Sequence, residues 1–137
     1  MLERLRRRRH RRNSAAVRGD VDLLVAIFDR QLEVQRAAKT DPTVMVDMEQ
    51  RIQYLKDMVL AAEDELHEVL GETGWKPWAT SRHINLEEAR DELVDVVCFV
   101  VNLSLALDMT PHELARRHAV KVDTNLARQR DGYTGVK

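Results

Sequence analysis

Glu65-Leu66-His67-Glu68, followed seven residues later by Trp75-Lys76-Pro77-Trp78, is the stretch from which the fold can be read. Two carboxylates at i and i+3 of a helix lie about 60° apart and can address one target. Glu92 and Asp95 repeat that spacing in the next apolar-periodic segment. If the two helices face each other, four carboxylates converge, and such a cluster cannot stay ionised inside a bundle without cations. Hard divalent ions with oxygen ligands suit it, Mg²⁺ first and Mn²⁺ as an alternative. The pattern implies helices packed on helices around a metal-dependent site for a phosphate substrate.

The chain outside this stretch agrees with an all-α, four-helix-bundle-like fold. Its 137 residues form one domain's worth of core, with only five glycines, three prolines and few aromatics. Residues 1–18 hold eight arginines against one glutamate. That is +7 in a chain of net −1, so the remainder carries −8. The expectation is a disordered, solvated Arg-rich arm over 1–18 and a helical domain over 19–137. Nucleic-acid attachment through the arm is the rival reading, and the acidic body offers no uniform basic face for it. The lone Cys98 fits a reducing compartment. The most apolar run, Leu93 to Leu107, is too short to cross a bilayer and carries Asp95 and Asn102. No apolar secretory stretch opens the sequence. A cytoplasmic protein without membrane contact is expected.

Four helices are predicted. The first covers Asp20 to Lys39, with Leu24, Ile27, Phe28 and Leu32 as its apolar stripe and Gln31 and Gln35 one turn apart. The second runs from about Thr43 to Leu70, with Asp41 as cap and Pro42 at its first position, and ends at Gly71 and Gly74. Asn85 and Glu88 predict a capping box for the third, Leu86 to Leu107. Thr110-Pro111-His112-Glu113 opens the fourth, which reaches about Arg130. In the loop between the second and third, one tryptophan is expected to plug the bundle end and the other to stack on a planar ligand.

Any single acid pair on a helix is ordinarily just solvated. Here both pairs border apolar residues (Leu66, Val69 and Leu70; Leu93, Val94 and Val96), where unpaired charge is costly. A di-iron bundle would need Glu-x-x-His on two helices, which this chain lacks, and zinc would need more histidine or cysteine. Asn102, two turns beyond Asp95, either satisfies a backbone group or reads a ligand's polar edge. Lys121, Asn125 and Arg128 make a cationic stripe on the fourth helix, suited to a polyphosphate ester beside metals. The third helix is apolar nearly all round, which predicts a homodimer.

Taken together, Glu65-x-x-Glu68, Trp75-Lys76-x-Trp78, Glu92-x-x-Asp95 and Lys121-x-x-x-Asn125-x-x-Arg128-Gln129-x-x-Gly132-Tyr133 resemble the all-α nucleotide pyrophosphohydrolases of the MazG-like superfamily. The loop and the C-terminal motif are closest to its dimeric dUTPase branch. The resemblance spans roughly residues 27–133. It implies Mg²⁺-dependent cleavage of dUTP to dUMP and pyrophosphate, with Glu65, Glu68, Glu92 and Asp95 holding two or three ions. It further implies phosphate binding by Lys121, Arg128 and Lys76 with help from Asn125, and a base site near Gln31, Trp78 and Asn102. Tyr133 closes the same substrate-binding motif. Three positions depart from the family pattern: Cys98-Phe99 replaces His-Phe, Ala79 stands for a second lysine, and Gln35 takes an asparagine's place. The last bears on base choice, so the same chemistry on another nucleotide such as dCTP is the alternative. A non-enzymatic helical dimer with a nucleic-acid-binding arm is the alternative from another class.

Overall fold

The computed structural model describes residues 22–132 and 135. The Arg-rich arm and Tyr133 lie outside the described residues. Four helices are present among the described residues: α1 (Leu23–Ala37), α2 (Met48–Gly71), α3 (Leu86–Ala106) and α4 (Pro111–Arg130). No strand is found among the described residues; Thr73 and Ile84 form one isolated bridge.

The helix ends follow from their caps. Asp22 accepts from the amides of Leu24 and Val25 and opens α1, and Thr110 accepts from Glu113 N to open α4. Two expected starts differ. Asp41 does cap, but what it opens is a single 3-10 turn, Pro42–Val44; the chain then extends at Met45, and Asp47 starts α2 by accepting from Gln50 N. The stretch Thr43-Val44-Met45-Val46 is rich in β-branched residues that favour helix poorly, and Asp47 offers a second cap immediately after it. Asn85 makes no side-chain cap bond for α3; its amide donates instead to Glu72 Oε2 at 3.0 Å, tying the loop's exit to its entry.

Helices α2 and α3 form the principal packed pair, and it is antiparallel. Glu65 faces Asp95 and Glu92, Met58 meets Asn102, and Arg51 bridges to Asp108 at 2.9 Å, so partners climb one helix as they descend the other. Helix α1 lies across α3. Phe28, Val101 and Leu105 form the buried core, with Leu24, Leu32 and Leu114 packed around them. Polar bonds run beside this core: Gln31 Nε2 donates to Asn102 Oδ1 at 2.9 Å, and Gln35 Oε1 accepts from Tyr54 OH at 2.9 Å and Thr40 Oγ1 at 3.0 Å. Burial, with Asp41 second, pushes the Tyr54 hydroxyl up to about 12, so it stays a donor.

Helix α4 leaves at 104° to α3 and contains no buried residue. It touches the body chiefly through α1 and Leu114. No single helix among the described residues is long and apolar enough to cross a membrane.

Two substitutions separate the apolar and polar parts of this packing. Phe28→Ala is expected to cost about 3–5 kcal/mol in urea unfolding. Tyr54→Phe, which removes only the hydroxyl given to Gln35, should cost about 1 kcal/mol. A Tyr54→Phe protein as stable as the parent would show that this bond adds nothing net.

Candidate metal centre

Near the end of α2 and the start of α3, Glu65, Glu92 and Asp95 each place a carboxylate oxygen within 4.8 Å of the others. The first two are half-buried and Asp95 is exposed. Glu68, one turn beyond Glu65, is exposed, and its charge raises the pKa of both Glu65 and Glu92. Burial first, and then Asp95, pushes the Glu65 and Glu92 carboxyls above their ordinary value; a hydrogen bond shared with Glu92 partly offsets this at Glu65. Among the described residues, no cation of the chain pairs with these gathered oxygens. The donors are all carboxylate oxygens, which fits a hard divalent cation and not zinc. Cys98, one turn past Asp95, is half-buried, and burial followed by Asp95 holds its thiol up. A raised thiol is no competitor for a hard ion.

The loop between the helices carries Lys76 and Trp78, with the lysine ammonium 5.9 Å from the indole centroid. Neither tryptophan plugs the bundle: Trp75 is 50% and Trp78 76% exposed. The loop is closed at its base by its own backbone bonds, Gly74 N to His83 O and Asn85 N to Glu72 O, and both indoles stay on its outside.

Gln31 and Asn102 meet as the base-site expectation requires, yet Asn102 is only 1% exposed. Its Oδ1 accepts from Gln31, and its Nδ2 donates to Met58 Sδ at 3.4 Å. Gln31 is half-buried and so is the more accessible of the two.

Lys121, Asn125 and Arg128 are not brought to the acids of their own chain. Asp95 lies ~16 Å back along α3 from that helix's end, and Lys121 ~15 Å out along α4. With the axes at 104°, the two residues stand on the order of 20 Å apart, beyond any lysine's reach. An open groove of about 790 Å³, lined by residues such as Asp41, Gln50 and Tyr54, lies at the opposite end of α2 from the acids. Two features here have no sequence signal: the buried Gln35–Tyr54 bond, and the bonds Arg82 makes inside the loop.

The charge state has a measurable consequence. A carboxyl with an upward shift binds its proton more tightly in the fold than in the unfolded chain, so stability falls as pH rises from the ordinary 4.5 through the raised value. Asp41 and Glu113 work the other way and lower down. Bonds from Thr43 and Arg116 respectively hold them below their ordinary values, and their contribution is lost only as pH falls through those lowered values. Metal-free protein is therefore expected to melt at lower temperature at about pH 7 than at about pH 5. Glu92→Gln should flatten that slope in calorimetric scans, and an unchanged slope would show that these acids do not feel one another.

A family model described as dUTPase matches residues 23–129, from the first residue of α1 to the last turn of α4. Comparison with curated proteins found no match, and neither did comparison with solved structures. The matched region contains both acidic pairs, Lys76, Trp78 and the stripe on α4. It supports dUTP hydrolysis or a related nucleotide pyrophosphohydrolase activity, for which a divalent metal is typical. With four helices and a match over most of its length, the chain belongs to the dimeric all-α dUTPase family.

Proposed function

We propose that the protein hydrolyses dUTP to dUMP and pyrophosphate, using Mg²⁺ or Mn²⁺ held by Glu65, Glu68, Glu92 and Asp95. The observation that carries this reading is the oxygen-only cluster of Glu65, Glu92 and Asp95 inside the family match. Two or three ions bound there would neutralise phosphate oxygens and acidify a water. The chain's own share is separable. Glu65 and Glu92, with carboxylate oxygens within 4.8 Å of each other, could orient the attacking water and take its proton. Lys76 sits on an exposed loop where it can meet a phosphate, and the open face of Trp78 can stack on a base. Gln31, with Nε2 given to Asn102, keeps an oxygen acceptor that suits the N3–H of uracil. The same acceptor would serve the amino group of cytosine, so dCTP is the competing substrate. A lone thiol and a nucleotide substrate both suit the cytoplasm.

The site needs a second copy. Val94, Val97 and Val100 on α3 and Val59, Leu60 and Leu66 on α2 stay exposed in one chain, and Leu126 does so on α4. Apolar area on this scale belongs to an interface. Because Lys121, Asn125 and Arg128 cannot reach their own chain's acids, a homodimer in which α4 of each copy crosses to the partner's acids would supply the missing cations for the triphosphate.

Pyrophosphate release from a dNTP panel with Mg²⁺ tests the chemistry. dUTP should give the highest kcat/KM, ahead of dCTP, dTTP and UTP. Glu65→Gln, Glu68→Gln, Glu92→Gln and Asp95→Asn should each lose at least ~100-fold. Full activity in Glu92→Gln and Asp95→Asn would end the metal reading; dCTP outrunning dUTP would end the uracil one alone.

Mixing tests the dimer. Glu92→Gln and Lys121→Ala/Arg128→Ala proteins, each inactive alone, should together recover about a quarter of the parent's activity, because half the random dimers carry one intact site. Sedimentation should show a dimer at micromolar concentration. Two inactive parents that never complement would place the cations in the same chain as the acids they serve.

A further inference from the structure

The loop that carries Lys76 and Trp78 has little to hold its tip. At its base, Thr73 pairs with Ile84, Gly74 N donates to His83 O, and Asn85 N donates to Glu72 O. The two sides press together there: a Cβ on Gly74 would lie 2.0 Å from the Ser81 carbonyl oxygen. Beyond that point, the backbone bond within residues 75–80 is Ala79 N to Lys76 O. The tip has no apolar core either, since both tryptophans are exposed.

Arg82 supplies the order. Its Nη1 donates to Gly74 O at 2.7 Å and Lys76 O at 3.1 Å, and Nη2 donates to Pro77 O at 3.4 Å. Three carbonyl dipoles thus converge on one cation. The planar guanidinium is suited to this because its N–H groups leave in several fixed directions at once. A lysine would offer a single ammonium point, and a glutamine one short amide. The carbonyls so held belong to Lys76 itself and to the residue before Trp78. The clasp therefore acts on the backbone from which both side chains spring.

We infer that Arg82 is a positioning residue for nucleotide binding, holding the loop so that Lys76 stands over Trp78 and both face the ligand. This rests on the proposed function, in which those two side chains contact the nucleotide. In this reading Arg82 acts through the three loop carbonyls it holds and not through a contact of its own with substrate.

The consequence is a split between binding and turnover. The acids lie on α2 and α3, outside the clasp, so Arg82→Gln should raise KM for dUTP about 10-fold while kcat stays within about 3-fold. Arg82→Lys should not rescue it. In a Lys76→Met/Trp78→Ala background, where the clasp has nothing left to position, adding Arg82→Gln should change KM less than about 2-fold. Effects that multiply in full in that background would overturn the inference and assign Arg82 a direct phosphate contact. So would a kcat loss without a KM change. Should the parent hydrolyse no nucleotide at all, the proposed function falls separately, and tryptophan emission still judges the clasp. Arg82→Gln should shift the spectrum of Trp75 and Trp78 while the melting temperature holds, and an unchanged spectrum would refute the positioning role. If Arg82→Gln does not fold, Arg82→Lys carries the same comparisons.

Discussion

Like-charge repulsion at one end of the α2–α3 pair is the constraint around which the rest is built. Glu65, Glu92 and Asp95 place oxygens within 4.8 Å of one another, and Glu68 adds its charge from one turn away. Left to themselves, two helices with such an end would splay. What resists lies further along the same pair: Asn102 reaches Met58 across the interface, and Arg51 closes the far end against Asp108. Asp108 adopts a left-handed backbone, φ 56°, at the turn out of α3. That conformation is unusual for a residue with a side chain and is tolerated best by Asp and Asn. The acids are thus held together by contacts that contain no acid-end cation, which is how a site is prepared for a ligand before the ligand arrives.

How far this could be read in advance depends on the range of the interaction. Caps are local, and Asp41 and Thr110, each followed by a proline, do open turns where their chemistry says they should, while Asp22, expected inside the first helix, is its cap. The i, i+3 spacing of the acids is local too; pairing the two helices brings Glu65, Glu92 and Asp95 together and leaves Glu68, the fourth expected member, outside the cluster. Reading failed where two local signals compete. Asp41 and Asp47 are both good caps six residues apart, and only the poor helix propensity between them decides for Asp47. Asn85 is a good cap residue whose amide is claimed by Glu72. Arg82 shows the other limit. Nothing in the order Ser81-Arg82-His83 says that a guanidinium will fold back onto carbonyls five to eight residues earlier, because that bond exists only once the loop has closed.

The direction of α4 belongs to the same class of hidden information. Its sequence displays a cationic stripe plainly, and that stripe says nothing of which acids it will meet. The four residues Leu107 to Thr110 decide that, by turning the chain through 104° at a left-handed Asp108. A tighter antiparallel return would have laid Lys121 alongside α3. The actual turn sends the helix outward, joined to the body mainly by Leu114 against the Phe28 core. A twenty-residue helix with no buried side chain gains little from its own fold, since helices in proteins draw most of their stability from packing an apolar face. Its exposed Val120, Val122 and Leu126 need a surface, and its exposed Lys121 is suited to an anion.

Both needs have one solution in this sequence, because the exposed apolar residues of α2 and α3 flank the acids. Leu66 lies next to Glu65, and Leu93 and Val94 lie between Glu92 and Asp95. A helix that buries its apolar side there brings its charged side to the carboxylates in the same movement. The charge arithmetic then favours assembly with ligand over assembly without. Cations alone would only partly cancel the cluster, and an interface that encloses unpaired carboxylates is expensive. In the proposed dimer, metal ions and a triphosphate would lie between the acids and the incoming Lys121 and Arg128. In this arrangement the ligand is part of what closes the interface, and the exposed loop held by Arg82 is the one boundary of the site that each chain builds entirely from its own residues.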